Sequence, residues 1–172
     1  RLATLLGNEV SLLAYHLPLD AHPEFGNNAQ LGALLGLAPE TFEPLIRDAG
    51  ASVGNVANLA PPIPAANLVA QLTALTGREA MHIEGGEDPV SRIAWCTGAA
   101  QGYIEAALAA GADMFISGEI SEQTVHIARE EGIHFVAAGH HATERYGARA
   151  LGEHLAEKCS LQHRFIDIDN PV

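Results

Sequence analysis

Basic residues are scarce. Nine Lys and Arg stand against 21 Asp and Glu in 172 residues, a formal net charge of −12 with histidine neutral. A surface of that sign repels phosphate backbones, which argues against direct nucleic-acid binding by a basic patch. A nucleotide or phosphate bridged by a metal ion stays compatible with it. Cysteine is equally scarce. Cys96 and Cys159 are too few for a disulfide framework, and both sit in apolar runs, so they read as buried, inert thiols. A reducing cytoplasm is the compartment that fits. No apolar run approaches the roughly 20 residues that span a bilayer, and no secretory signal is evident, so no membrane association is expected. Aromatics make up only 5%, and the 48% of hydrophobic residues come mainly from Ala, Leu, Val and Ile. With charged residues at 17% and 17 glycines, this composition excludes a disordered chain and suits close helix-on-sheet packing.

The chain opens RLATLLGNEV, which reads as the tail of a helix closed by Gly7 and Asn8 and suggests a chain trimmed at its N-terminus. Val10 to Leu17 is a continuous apolar run that suits a buried strand. Asp20 to Asn28 reads as a loop, with Asn28 capping a short helix from Ala29 to Leu35. Pro39 to Gly50 reads as a short helix and turn, and Ala51 to Leu59 as a strand. Pro61 to Pro64 reads as a stiff connector and a candidate lobe boundary. Ala65 to Leu75 has helical periodicity, and Glu79 to Ile83 suits a strand.

From Ser91 the pattern is regular. Strands at Arg92–Cys96, Met114–Ser117, His134–Ala138 and Leu161–Ile168 alternate with helices at Ala99–Ala110, Glu122–Glu131 and Thr143–Lys158. That alternation implies βαβ units, an α/β class and a mostly parallel sheet.

Four strand-to-loop junctions carry the chemistry. Gly139-His140-His141-Ala142-Thr143-Glu144 follows a strand and opens a helix. His140 and Glu144, four residues apart, can face one point, and imidazole with carboxylate suits Zn, Mn or Fe better than Mg or Ca. Alternatively, Glu144 only offsets the positive end of a helix dipole. His16-Leu17-Pro18-Leu19-Asp20-Ala21-His22 also lies past a strand. There Asp20 is a candidate ligand with one histidine orienting it, or a loop Asp in an Asx-turn between two exposed histidines. Glu119, in Ser117-Gly118-Glu119-Ile120-Ser121-Glu122, is a candidate general base, a carboxylate that orients a ligand, or a plain helix-start acid. Cys96 to Gly102 makes a small-residue turn that can present N–H groups to an anion, or simply packs helix against strand; it matches neither a Walker loop nor G-x-G-x-x-G. His82, His126, His134, His154 and His163 have no ligand-like company and read as structural or exposed.

Tyr15–Leu31 (YHLPLDAHPEFGNNAQL), Arg92–Gly98 (RIAWCTG), Phe115–Gln123 (FISGEISEQ), Ala137–Arg145 (AAGHHATER) and Phe165–Pro171 (FIDIDNP) resemble the bacterial YbgI-type proteins of the NGG-interacting-factor-three-like family. These are commonly labelled GTP cyclohydrolase I type 2 homologues. The resemblance implies two intertwined α/β lobes, here residues 1–48 with Asp20 and residues 49–172 with His140 and Glu144. It implies a homohexameric ring and a pair of divalent metal ions per subunit in the full-length protein, with Asp20, His140 and Glu144 as ligands and Glu144 bridging. It also implies a histidine pair in a Val-His-His-Gly-like run, which this sequence does not contain and which is expected to precede Arg1.

Three functions follow as expectations. The first is a metal-dependent hydrolase of a small nucleotide-like or phosphorylated substrate, with Glu119 as proton shuttle. The second is a non-catalytic metal-binding, trafficking or regulatory scaffold. The third is a structural role in which metal pins the lobes together.

Overall fold

The computed structural model describes residues 1–48 and 51–172. Six strands form one sheet: β1 (Glu43–Asp48), β2 (Ala51–Ile63), β3 (Met81–Ile83), β4 (Val90–Cys96), β5 (Met114–Ser117) and β6 (His134–Ala137), in the order β1-β2-β4-β5-β6-β3. Parallel pairing is confined to the central β4, β5 and β6, and the β1–β2, β2–β4 and β3–β6 pairs are antiparallel. The α/β class expected from the alternating pattern is what forms, with the parallel part limited to the strands that carry the site.

Side chains alternate across these strands and make two cores. Ile93, Trp95, Met114, Ile116 and Val136 point to one face. There they meet Leu31 of α3 (Asn27–Leu34) and Leu68 and Leu72 of α4 (Ala65–Thr76). Ala94, Cys96, Phe115 and Phe135 point to the other face. They pack on Ile104 and Ala107 of α5 (Ile104–Ala109) and Ala128 of α6 (Glu122–Glu131). Burial on both faces is why these strands read as continuous apolar runs. α6 starts where Ser121 accepts the Thr124 N–H and stops at the left-handed Gly132, as its capping residues dictate.

The remaining helices are α1 (Leu2–Gly7), α2 (His16–Asp20), α7 (His140–Glu144) and α8 (Tyr146–Cys159). Several expectations need correction. Val10–Leu17 is not a strand: residues 10–15 have no regular structure, Val10, Leu12, Leu13 and Tyr15 are exposed, and His16–Asp20 is a helical turn. Leu161–Ile168 likewise forms no strand, and Leu161, Ile166 and Ile168 face solvent. A strand needs a neighbour to take its N–H and C=O groups, and the sheet edges are β1 and β3. Pro39–Gly50 is a 3-10 turn at Pro39–Thr41 followed by β1. Gly50 itself lies outside the described residues. Of the Pro61–Pro64 connector, residues 61–63 belong to the long strand β2, where its register shifts between Asn58 and Ile63, and Pro64 caps α4. The division after residue 48 passes between two paired strands of one sheet, and residues 49 and 50 lie outside the described residues.

Two histidines expected to stand alone meet at the β3–β6 edge. His82 Nε2 is 3.2 Å from His134 Nδ1, which also accepts the Gly85 N–H at 3.4 Å. With His134 Nδ1 as the acceptor, His82 Nε2 is the donor of this pair. Burial, then the neighbouring His134, hold His82 below its ordinary value of 6.5, against the smaller opposing pull of Glu84 and Asp88. A depressed histidine contributes stability that is present above 6.5 and lost as pH falls through the lower folded value. We therefore expect the melting temperature to fall on acidification below about pH 6.5, with a shallower fall in His82→Gln. Coincident melting curves for the two chains would refute that role.

Candidate metal centre

The carboxyl ends of β4, β5 and β6 converge. The Gly98 carbonyl accepts the N–H groups of Gly118 (2.9 Å) and Glu119 (3.2 Å), and the Gly118 carbonyl accepts that of Gly139 (2.9 Å). This is where ligands bind in open α/β sheets. Two glycines permit the approach. At Gly118 a Cβ would lie 2.7 Å from the Gly98 oxygen and 2.8 Å from His140 Cα. At Gly98, which has φ +70°, a Cβ would overlap the Glu144 carboxylate and reach within 3.3 Å of His140 Nε2.

α7 springs from this floor and presents His140 and Glu144 one turn apart. Thr143 Oγ1 ties the turn down by donating to the Gly139 carbonyl (2.9 Å) while accepting the Gly98 N–H (3.1 Å). His140 lies between two carboxylates, with Nδ1 2.6 Å from Glu119 Oε1 and Nε2 3.1 Å from Glu144 Oε2. Glu119 precedes the α6 cap, so its carboxylate does not serve that helix start; it fixes the imidazole. A ring N–H given to a carboxylate leaves the other nitrogen aimed at its ligand.

Asp20 reaches the same place from the far end of the chain. Its Oδ1 accepts the Asn27 amide at 2.7 Å, and its backbone carbonyl accepts that of Asn28 at 3.2 Å. Asn28 also takes the Thr97 N–H on its side-chain oxygen (3.0 Å) and the Trp95 indole N–H on its carbonyl (2.8 Å). Asn27 Oδ1 takes the Gly147 N–H at the start of α8 (2.7 Å). Asn28 was expected to cap a helix; instead Gly26 is the N-cap of α3 and both amides are spent on long-range bonds.

The result is one cluster. His16, Asp20 and Glu144 each bring a ligand-type atom within 4.8 Å of one another, a group able to hold a metal ion. The donor set fits a divalent cation. Burial, and then Asp20, push the Glu144 carboxyl above the usual range, the strain of two acids facing each other. The hydrogen bond to Glu119 is the main cause that lifts His140 above its ordinary value, so a metal must compete with a proton for this imidazole. Cys96, 3% exposed, is pushed up to about 12 by burial and by Asp20 and Glu144, which makes it inert as expected. The exposed Cys159 is not the buried thiol expected.

Of the residues expected at the site, Asp20, Glu119, His140 and Glu144 are brought together. One of His16 and His22 was read as orienting Asp20; His16 stands 3.8 Å from its Oδ2 and is itself in the ligand-type group. The signal was available: His16 and Asp20 repeat the four-residue spacing of His140 and Glu144. His22 points elsewhere, stacked on Phe25 at 5.1 Å. The Cys96–Gly102 turn serves packing, through Gly98.

The Duf34/NIF3 (NGG1p interacting factor 3) family model matches residues 1–171. The chain belongs to this family. A Pseudomonas aeruginosa relative named GTP cyclohydrolase 1 type 2 homolog is 53% identical over 172 residues, covering all of this chain and 67% of its own length. The solved structure of protein ybgI, described as of unknown function, superposes with a TM-score of 0.91 at 48% identity, covering 99% of this chain and 67% of that one. A Thermus thermophilus structure gives 0.82 at 32% identity, covering 99% and 66%. The chain thus spans about two thirds of the length of the relatives it matches. No helix among the described residues is long and apolar enough to cross a membrane.

Gly98→Ala tests the cluster's floor. The left-handed backbone costs about 1–2 kcal/mol with a side chain, and the methyl group pushes the Glu144 carboxylate aside. A lower melting temperature and reduced uptake of Mn or Zn, read by elemental analysis after dialysis, are expected. Unchanged metal uptake would show that Glu144 is not held against Gly98 in solution.

Proposed function

We propose that this chain carries the divalent-metal site of a metal-dependent hydrolase acting on a small nucleotide-like or phosphorylated substrate. The observation that supports it most is His140 held between the Glu119 and Glu144 carboxylates, beside a pocket of about 430 Å³ lined by His140, His141, Glu144, Asn170 and Val172. Asp20, His140 and Glu144 would hold Zn, Mn or Fe. The family resemblance supports Glu144 as a bridge between two ions in the full-length protein, and a homohexameric cytoplasmic ring. The relatives' label points to a nucleotide ring but names a similarity, so the reading stops at the substrate class.

A divalent ion, when bound, supplies Lewis acidity toward a substrate oxygen. The chain's own residues do the rest. Glu119 fixes which imidazole nitrogen faces the pocket. Its side chain is 35% exposed, so it can exchange a proton between the pocket side of His140 and bulk water. Asn27 and the peptide floor hold Asp20 and Glu144 in place.

His16 favours a second reading. Its side chain is 81% exposed, which leaves the cluster open on one side, as reversible metal carriage by a non-catalytic scaffold requires. One set of measurements on the full-length protein separates the two. His140→Ala and Glu144→Ala lose bound metal. Glu119→Gln keeps metal but turns over a phosphoester or nucleotide about 10²–10⁴-fold more slowly. Metal affinity weakens on acidification from a higher pH than ordinary His and Glu would dictate, because both His140 and Glu144 are raised and must lose protons to bind. Full metal content in both ligand variants would refute the ligand assignment. Metal binding without turnover of any phosphoester, nucleotide or amide would favour the scaffold.

A further inference from the structure

Only nine Lys and Arg serve this acidic chain, yet two of them, Arg78 and Arg145, bond the segment that lends Asn170 and Val172 to the pocket. Arg145 follows Glu144 directly, and the Arg78 guanidinium lies 3.1 Å from where a Gly139 Cβ would be. Both are engaged by the segment 161–172, which has no regular structure. Asp167 uses one carboxylate oxygen on Arg145 Nη1 (2.9 Å) and the other on His141 Nε2 (3.3 Å). Arg78 Nη1 donates to the Pro171 carbonyl, and the His141 backbone N–H to that of Val172 (3.0 Å). Asn170 and Val172 then form the pocket's outer wall. The segment is a strap, tied down by His141, which lines the pocket, by Arg145, next in sequence to Glu144, and by Arg78.

We propose that Arg145 and His141 form an oxyanion-binding subsite for the phosphoryl group of the substrate, and that the Asp167 carboxylate fills it until substrate arrives. A carboxylate bonded through both oxygens to a guanidinium and an imidazole shows that this position already accepts an anion with two acceptors. A phosphate presents the same pair of acceptors with more charge, and a planar guanidinium matches it. Asp167 is 44% exposed, and a half-exposed ion pair contributes little, so it yields to a better anion. The need is electrostatic. A phosphorylated substrate approaches a surface of charge −12 and a cluster holding Asp20, Glu119 and Glu144, so a fixed cation must stand beside the site. Arg145 is braced for that role by a second bond, from Nη2 to the Thr76 carbonyl (2.8 Å). The inference rests on the hydrolase reading for the reaction, while the subsite itself is testable without it.

The test is calorimetric titration of inorganic phosphate into metal-free full-length protein. Asp167→Asn, at an exposed position, removes the competing charge and is expected to bind phosphate about tenfold more tightly than wild type. Arg145→Gln is expected to abolish binding, with Arg145→Lys intermediate because it keeps the charge and loses the fork. Thermal melts confirm that each variant is folded; should Arg145→Gln fail to fold, Asp167→Asn and Arg145→Lys decide the matter. Phenyl phosphate that displaces inorganic phosphate supports a substrate phosphoryl group, whereas phosphate binding without such displacement overturns that assignment. Equal phosphate affinity in wild type and Asp167→Asn overturns the subsite. Failure of the two ideas is distinguishable. Phosphate binding that follows Asp167 and Arg145, with no turnover in metal-loaded protein, sinks the hydrolase and keeps the subsite. Metal-dependent turnover indifferent to both residues does the reverse.

Discussion

Two adjacent amides hold this molecule's site together. Asn27 and Asn28 are 5% and 3% exposed, and between them they tie Asp20, the end of β4 and the start of α8 to one point. A buried amide must find partners for its oxygen and nitrogen, since each unmet bond costs about 1–3 kcal/mol. That demand is met only if a segment near residue 20 comes to rest on a strand end near residue 97. The cluster of His16, Asp20 and Glu144 rests on it, because the two amides link Asp20 to the strand end and to α8, which follows the helical turn that carries Glu144.

The electrostatics of the cluster make sense against that rigid frame. Three carboxylates and two imidazoles meet at one strand-end junction of an already acidic chain. Burial first, and then Asp20, raise Glu144, and the hydrogen bond to Glu119 raises His140. The frame prevents the acids from moving apart, so charge must come to them. A divalent ion meets that need.

The central βα units were legible because each local signal agrees with the packing. Met114–Ser117 and Glu122–Glu131 were expected with the bounds that form, since a four-residue apolar strand, a Ser121 cap and Gly132 all point one way. Val10–Leu17 and Leu161–Ile168 were misread because apolarity reports a wish for burial, while strand formation needs a partner whose position no local pattern gives. The site divided along the same line. His140 and Glu144 share a helical turn, so their spacing was readable. The roles of Asn27 and Asn28 depend on bonds spanning 69 and 120 residues, and short polar residues next to glycine look like any turn. Glu119 was left among three roles because its 2.6 Å contact with His140, 21 residues away, has no local signature.

The glycine floor has a bearing on how such a protein can change over evolutionary time. Gly98 and Gly118 press backbone against backbone and against the His140–Glu144 turn, leaving no room for a methyl group. Novelty cannot enter from below, since a side chain at either place dislodges the whole junction at once. The rim is different: His141 and Asp167 are partly exposed, and an exchange there displaces no buried core. A lineage built on this floor is therefore free to explore new ligands by altering its edge, while the metal-facing centre stays sterically locked.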